Sequence, residues 1–270
     1  MLVLLSLRRK FEASDLEKGI RMETAIFNPG GYRYIRGPFQ YSGGVAAEPD
    51  FSIERVRFLS PIPLVEGFLA IEEHLNSLGR PLTAFCACEL RSPAPFTEQG
   101  FIDFNRFYVG TLERWGIFKE EENPVARSNV CPQVSPPSEP SFHSFSYTVP
   151  RTSKLNSFIV AGSAEVPEGV GNYIERIIRL GDRSPDAMRE KAHYVLDTME
   201  KRMAALGLSW MDAGLTQIYT VYEIHSFLTD EILSRGAGKH SGLTWYYARP
   251  PVEGLDYEMD VSSVAFEKII

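Results

Sequence analysis

Twice along this 270-residue chain an apolar helical stretch runs into a Leu-Gly stop, and twice the same order of elements follows. The first stop is Leu78-Gly79 and the second is Leu206-Gly207, about half a chain later. After each come a strand, a second helix and two further strands. A supersecondary order repeated at long period is the mark of internal duplication, and it constrains the fold more than any local motif does. Hydrophobic residues make up 44% and charged residues 23%, which is enough apolar side chain for two ordinary packed units. The boundary falls near Pro150. The organisation predicted is an N-terminal extension over 1–31, one unit over 32–150 and a second over 151–270.

The individual elements follow from period and punctuation. Leu64, Phe68, Leu69, Ile71, Leu75 and Leu78 recur at three- and four-residue steps, which predicts a helix over 63–79 closed by Gly79. Residues 82–90 have no helical period and lie between prolines, so they read as a buried strand. A helix over 97–115 has Thr97 as N-cap and Gly116 as stop. The proline-rich run 123–140 reads as a connection, and the alternation over 141–149 as a strand. In the second unit the pattern predicts strands at 157–162, 213–222, 243–248 and 257–265. It also predicts a long helix at 185–206 capped by Ser184 and a shorter one at 226–234.

Charge and cysteine usage narrow the function classes. Lys plus Arg number 28 against 35 Asp plus Glu, a net charge of −7, which offers no electrostatic footprint for a nucleic-acid backbone. Cys86, Cys88 and Cys131 cannot all pair with one another, a usage suited to a reducing compartment. Met1 to Leu7 is apolar and precedes Arg8, Arg9 and Lys10, the reverse of a secretory signal and far short of the ~20 residues of a spanning helix. The expectation is a cytoplasmic protein with neither nucleic acid nor membrane as partner.

Several pieces taken in order resemble the RidA (YjgF) family. In the second half they are FIVAG at 158–162, the Leu206-Gly207 stop, the strand after Trp210, YARPP at 247–251 and DYEMDVSSVA at 256–265. In the first half they are YSG at 41–43, the strand at 82–90 and ARSN at 126–129. The resemblance implies an α+β fold of two tandem RidA-like (chorismate mutase-like) domains, each a mixed sheet with two helices on one face. It also implies trimeric assembly with clefts between neighbours, hence a homotrimer with the first-half clefts between chains. The activity implied is hydrolysis of imines or enamines with release of ammonia. Some relatives are called 2-aminomuconate deaminases, and the chorismate-cleaving hydrolases resemble the fold while doing other chemistry.

The resemblance also selects candidate residues. Arg127 falls on the family's arginine, whose planar fork suits bidentate capture of a substrate carboxylate. Gly43 falls on a glycine whose backbone N–H faces the same carboxylate, and Gly162 on the matching position of the second half. There the arginine is lost: the equivalent position is Gly242, with Lys239 and His240 nearby as alternative cations. Glu258 falls on the last-strand glutamate, a candidate for moving a proton or orienting water. The first half keeps the arginine and the second keeps the glutamate, a division that suggests one composite cleft, although two incomplete sites would give the same sequence.

Other signals carry less. The Gly236 to Ser241 loop lacks the spacing of a phosphate-binding loop, and the five histidines form no close pair that would hold a metal. Cys86 and Cys88, two residues apart on a strand, read as core thiols sharing one face. The expected activity is a hydrolytic deaminase for an imine, enamine or amino-diene carboxylic acid, needing no metal or organic cofactor. Alternatives are a non-catalytic carboxylate-binding protein on the same scaffold and a hydrolase of chorismate-like acids.

Overall fold

The computed structural model describes residues 22–150, 156–167, 172–239 and 241–270. The chain opens with β1 (Thr24–Phe27), β2 (Tyr32–Ile35), β3 (Gly44–Ala47) and the long β4 (Phe51–Pro63). Then follow α1 (Leu64–Ser77), β5 (Phe85–Arg91), α2 (Glu98–Arg114), β6 (Ala126–Pro132) and β7 (Ser141–Pro150). The remainder is β8 (Phe158–Ala164), the short α3 (Tyr173–Arg176), α4 (Pro185–Ala205), β9 (Leu215–Tyr219), irregular helical turns over 225–235, β10 (Thr244–Tyr246), β11 (Ala248–Arg249), β12 (Glu258–Ser263) and β13 (Phe266–Ile269).

These strands form two sheets, and neither belongs to one half. The seven-stranded sheet runs β1-β2-β3-β8-β12-β9-β10, and the six-stranded sheet runs β11-β6-β5-β7-β4-β13. The first half thus lends β1–β3 to the sheet of the second, through antiparallel pairing of β3 with β8. The second half returns β11 to the edge of β6 and β13 to the edge of β4. This corrects the expected fold class of two tandem units each carrying its own sheet. The exchange covers strand edges that would otherwise expose unpaired N–H and C=O groups.

Helices cover the outer faces. Leu64, Phe68, Ile71 and Leu75 of α1 and Tyr108 and Leu112 of α2 pack on Phe85, Leu90, Phe142 and Phe145 of the six-stranded sheet. Met188, Ala192, Val195, Met199 and Met203 of α4 pack on Phe158, Val160, Ile218, Met259 and Val261 of the other. A third cluster, with Tyr32, Val45, Ile53, Ala87, Ala126 and Ile159, lies where the two sheets meet. Burial of an aliphatic side chain contributes roughly 1.5–3 kcal/mol, so these three clusters hold the layers together. The expected second helix over 226–234 is instead a broken series of turns with a π-helical segment at Leu228–Ile232. Among the described residues no helix is long and apolar enough to cross a membrane.

Two local irregularities matter for the site. In β8, Val160 pairs with Val261 and Ser163 with Met259, so Ala161 and Gly162 together oppose Asp260 alone. Gly162 has φ +63°, the left-handed conformation of a glycine bulge. In β5 the pairing register with β7 shifts between Phe85 and Ala87. Cys86 therefore packs with Ala87 between the sheets, while Cys88 meets the Tyr108 hydroxyl at 3.3 Å. The two thiols do not share a face as their spacing predicts.

Candidate active site

One cavity of about 430 Å³ gathers residues from both halves of the chain. Its volume falls in the range of small-molecule sites, roughly 300–1,000 Å³. Arg127 and Asn129 enter from β6, and Gly162, Ser163 and Ala164 from the end of β8. Glu98 and Phe101 come from the first turn of α2, Arg176 from α3, Arg202 from α4 and Glu258 from the start of β12. The walls are tied together by the backbone. Ser42 N–H donates to Val125 O at 2.8 Å, which fixes Tyr41 beside β6, and Phe96 N–H donates to Pro251 O at 2.8 Å, which fastens the entry to α2 onto the 251–255 loop.

Arg127 is only 1% exposed. Its guanidinium carbon lies 4.8 Å from the Tyr108 ring centre, 5.3 Å from Tyr41, 5.4 Å from Phe104 and 5.6 Å from Phe101. Ring faces attract a cation, and Tyr and Phe hold it without neutralising it. Its Nε and Nη1 are buried with no hydrogen-bond partner in the chain. Burial pulls its pKa down from the ordinary arginine value, with Tyr108, Cys88, Tyr41 and Glu258 acting in the opposite sense. A buried guanidinium with unmade hydrogen bonds is costly to a fold, and such a group calls for a ligand as its explanation. Asn129, two residues on along the same strand and so on the same face, adds an unpartnered buried Nδ2, its Oδ1 accepting from Ser92 Oγ at 2.9 Å.

Glu258 supplies the acid. It is 2% exposed, and burial drives its pKa well above the ordinary carboxylic value, reinforced by the charges of Asp260 and Glu165 and opposed by Arg127 and Arg91. Alternation along β12 sends Met259 and Val261 into the core against α4 while Glu258 and Asp260 face the other way. Asp260 is raised to about 6, chiefly by burial and then by the charge of Glu89. It accepts hydrogen bonds from Gly162 N–H at 2.7 Å and from the Tyr219 hydroxyl at 2.9 Å. Burial pushes both carboxyls of this strand face up, and the charge of Asp260 adds to the rise at Glu258, which faces the cavity.

The other residues singled out in the sequence are placed less simply. Gly162 lines the cavity, but its N–H is given to Asp260, and a Cβ there would stand 2.6 Å from Arg127 O. Its glycine lets β8 bulge against β6. Gly43 is not among the lining residues; a Cβ on it would stand 3.0 Å from Arg202 Nε, so it makes room for that side chain, whose Nη1 donates to Ala161 O at 2.9 Å. His240 lies outside the described residues, and its neighbour Lys239 lines a separate surface depression with Trp210 and Met211. Cys131 sits on β6, buried, its thiol pushed up to about 12 by burial and by the charge of Glu258. The cleft that joins Arg127 to Glu258 is lined within one chain.

Sequence reasoning missed Asn129, Gln40 and Arg176. Asn129 stands inside the ARSN string and would have been found had 126–132 been read as a strand. Gln40 lines the cavity with an unpartnered buried Oε1, and nothing in its sequence context marks it.

Known proteins agree with a deaminase. A protein of Comamonas testosteroni described as 2-amino-5-chloromuconate deaminase is 54% identical over 250 residues, covering 92% of this chain and 99% of that protein. A crystal structure of chorismatase matches with a TM-score of 0.50 at 13% identity, covering 86% of this chain and 79% of that one. That likeness concerns the fold alone, and it runs once across both halves instead of matching a RidA-like unit twice. The family described as 2-aminomuconate deaminase CnbZ matches residues 24–268, and the chain therefore belongs to that family and is an enzyme of the deaminase class.

Proposed function

We propose that the chain is a hydrolytic deaminase for an amino-dienoic acid of the 2-aminomuconate type, with Arg127 binding a carboxylate and Glu258 moving the proton. The observation that carries this reading is the convergence, in one cavity, of a caged arginine with unmade hydrogen bonds and a buried glutamate whose pKa burial drives up. Arg127 Nε and Nη1, with Asn129 Nδ2 beside them, offer donors to one substrate carboxylate, and binding it fixes the adjacent carbon that bears the amino group. Glu258 donates its proton to a carbon of the conjugated system, turning the enamine into an imine. As a carboxylate it then takes a proton from the water that adds to the C=N carbon. That proton passes to nitrogen, the C–N bond breaks as the carbinolamine hydroxyl gives its own proton back to Glu258, and ammonia leaves with the acid restored. The balance is enamine plus water giving oxo acid plus ammonia. Positioning and proton transfer supply the rate, the latter typically ~100- to 10,000-fold.

Ammonia release from freshly generated 2-aminomuconate tests this, with chorismate as a control substrate. Acceleration over buffer that is abolished in Glu258→Gln is expected, and no acceleration by the wild-type chain overturns the reading. The assembly proposed is a homotrimer in the cytoplasm. A monomer by light scattering at working concentration overturns the trimer.

A further inference from the structure

The cavity holds a second arginine with an unmade hydrogen bond, Arg176, half-buried where Arg127 is fully buried. Arg176 lies on α3, the wall that packs along the end of β8, whereas Arg127 enters from β6 beneath α2. Its Nη1 donates to Pro167 O, its guanidinium carbon stands 5.8 Å from the Tyr173 ring centre, and its Nε is buried with no hydrogen-bond partner. Among the described residues no carboxylate pairs with it. The carboxyls that line the cavity are Glu98 and Glu258, against the guanidiniums of Arg127, Arg176 and Arg202, and burial pushes Glu258 toward its neutral form. One arginine explains one carboxylate. A second buried guanidinium nitrogen, on a different wall and equally without a partner, is unexplained by a monocarboxylate ligand.

We infer that Arg176 binds the far carboxylate of an extended dicarboxylate, so that the site reads both ends of its substrate and Arg176 determines its preference for diacids over monoacids. This rests on the reading of the cavity as the substrate site. With Arg127 holding one end and Arg176 the other, the chain between them is stretched past Glu258, which fixes the carbons that meet the proton. The contact at Arg127 is made by monoacid and diacid alike, whereas the charge-assisted contact at Arg176 is made by the diacid alone and its loss is felt by the diacid alone.

Binding of two unreactive probes, muconate with two carboxylates and sorbate with one, tests the assignment by titration calorimetry on the full chain. Neither probe carries an amino group, so the result is independent of deaminase turnover. The wild-type chain is expected to bind muconate about tenfold or more tighter than sorbate, as one additional charged hydrogen-bonded contact gives. Arg176→Met should bring muconate affinity down to that of sorbate and leave sorbate unchanged, Arg176→Lys should recover part of the difference, and Arg127→Met should weaken both. An unchanged muconate affinity in Arg176→Met, an equal loss for both probes, or no preference in the wild-type chain each overturns the inference. Absent ammonia release together with a muconate preference that depends on Arg176 would overturn the proposed chemistry and leave this assignment standing.

Discussion

At the scale of single residues, the cavity sets stability against binding. Arg127 is a buried cation whose Nε and Nη1 have no partner, and breaking such desolvation by removing the charge relieves the fold while emptying the site. Arg127→Met, apolar and of similar reach among four rings, should leave the melting temperature unchanged or raised while lowering kcat/KM about 100-fold, the loss of one to two charged hydrogen bonds. A lowered melting temperature with kinetics intact would take Arg127 out of the site. Glu258 gives a second prediction through its proton. Its folded pKa lies above its unfolded one, so the folded state binds more protons between the two, and its stabilising contribution is full at acid pH and declines as pH rises through the raised value. Glu165, raised to about 7 mainly by burial, acts in the same sense at lower pH. Thermal unfolding followed upward from about pH 5, just above the ordinary carboxylic value, should therefore show a fall in stability to which Glu258 adds up to about 1.4 kcal/mol per pH unit, one proton's worth, and the fall should be shallower in Glu258→Gln. Equal slopes in the two proteins would contradict a protonated Glu258 in the fold.

At the scale of elements, what the sequence made legible and what it concealed have separate causes. The helices at Leu64–Ser77, Glu98–Arg114 and Pro185–Ala205 fall where period and caps predict them, with Thr97 and Ser184 accepting from the first-turn N–H groups of Gly100 and Ala187. One apolar face against one sheet is a local signal. β6 has no such signal, because it is buried among both sheets and carries Arg127, Ser128 and Asn129 into a polar interior; read by composition, it is a loop. The predicted strand over 243–248 is cut at Tyr247, since β10 pairs with β9 in one sheet and β11 with β6 in the other. Arg127 and Glu258 were visible as candidates through a resemblance, and Asn129 lay one strand alternation from Arg127, whereas Arg176 depends on which walls meet, and that is a tertiary fact. Gly162 was visible as a position but not as a bulge. Its φ of +63° and the 2.6 Å approach to Arg127 O make Gly162→Ala doubly unfavourable, by roughly 1–3 kcal/mol for the conformation alone. Because the clash pushes on the backbone of Arg127 itself, the variant should lose both melting temperature and kcat/KM, and a variant that loses neither would show that the bulge is dispensable.

At the scale of the molecule, the exchange of strands makes the two halves one cooperative body. Without residues 156–270, β1–β3 keep no partner beyond one another, and β4 and β6 each lose the strand on their outer edge. Without residues 22–150, β8 loses β3, and the buried contact from Arg55 on β4 to Ser262 on β12 at 2.9 Å, which links the sheets, cannot form. Gln217 on β9 likewise reaches Glu89 on β5 at 3.4 Å, so the polar interior needs both sequences to satisfy its groups. Polar groups buried in an interface that is half missing are either left unpaired or exposed with their sheet face, and each outcome costs ~1–3 kcal/mol per group, comparable with a tenth or more of a domain's whole stability. The fragments 22–150 and 156–270 expressed separately should therefore show no cooperative thermal transition by circular dichroism, and co-expression should restore one transition together with activity, since Arg127 and Glu258 come from different fragments. A cooperative, native-like transition in either fragment alone would mean that its sheet is self-sufficient and that the exchanged strands only decorate two independent units.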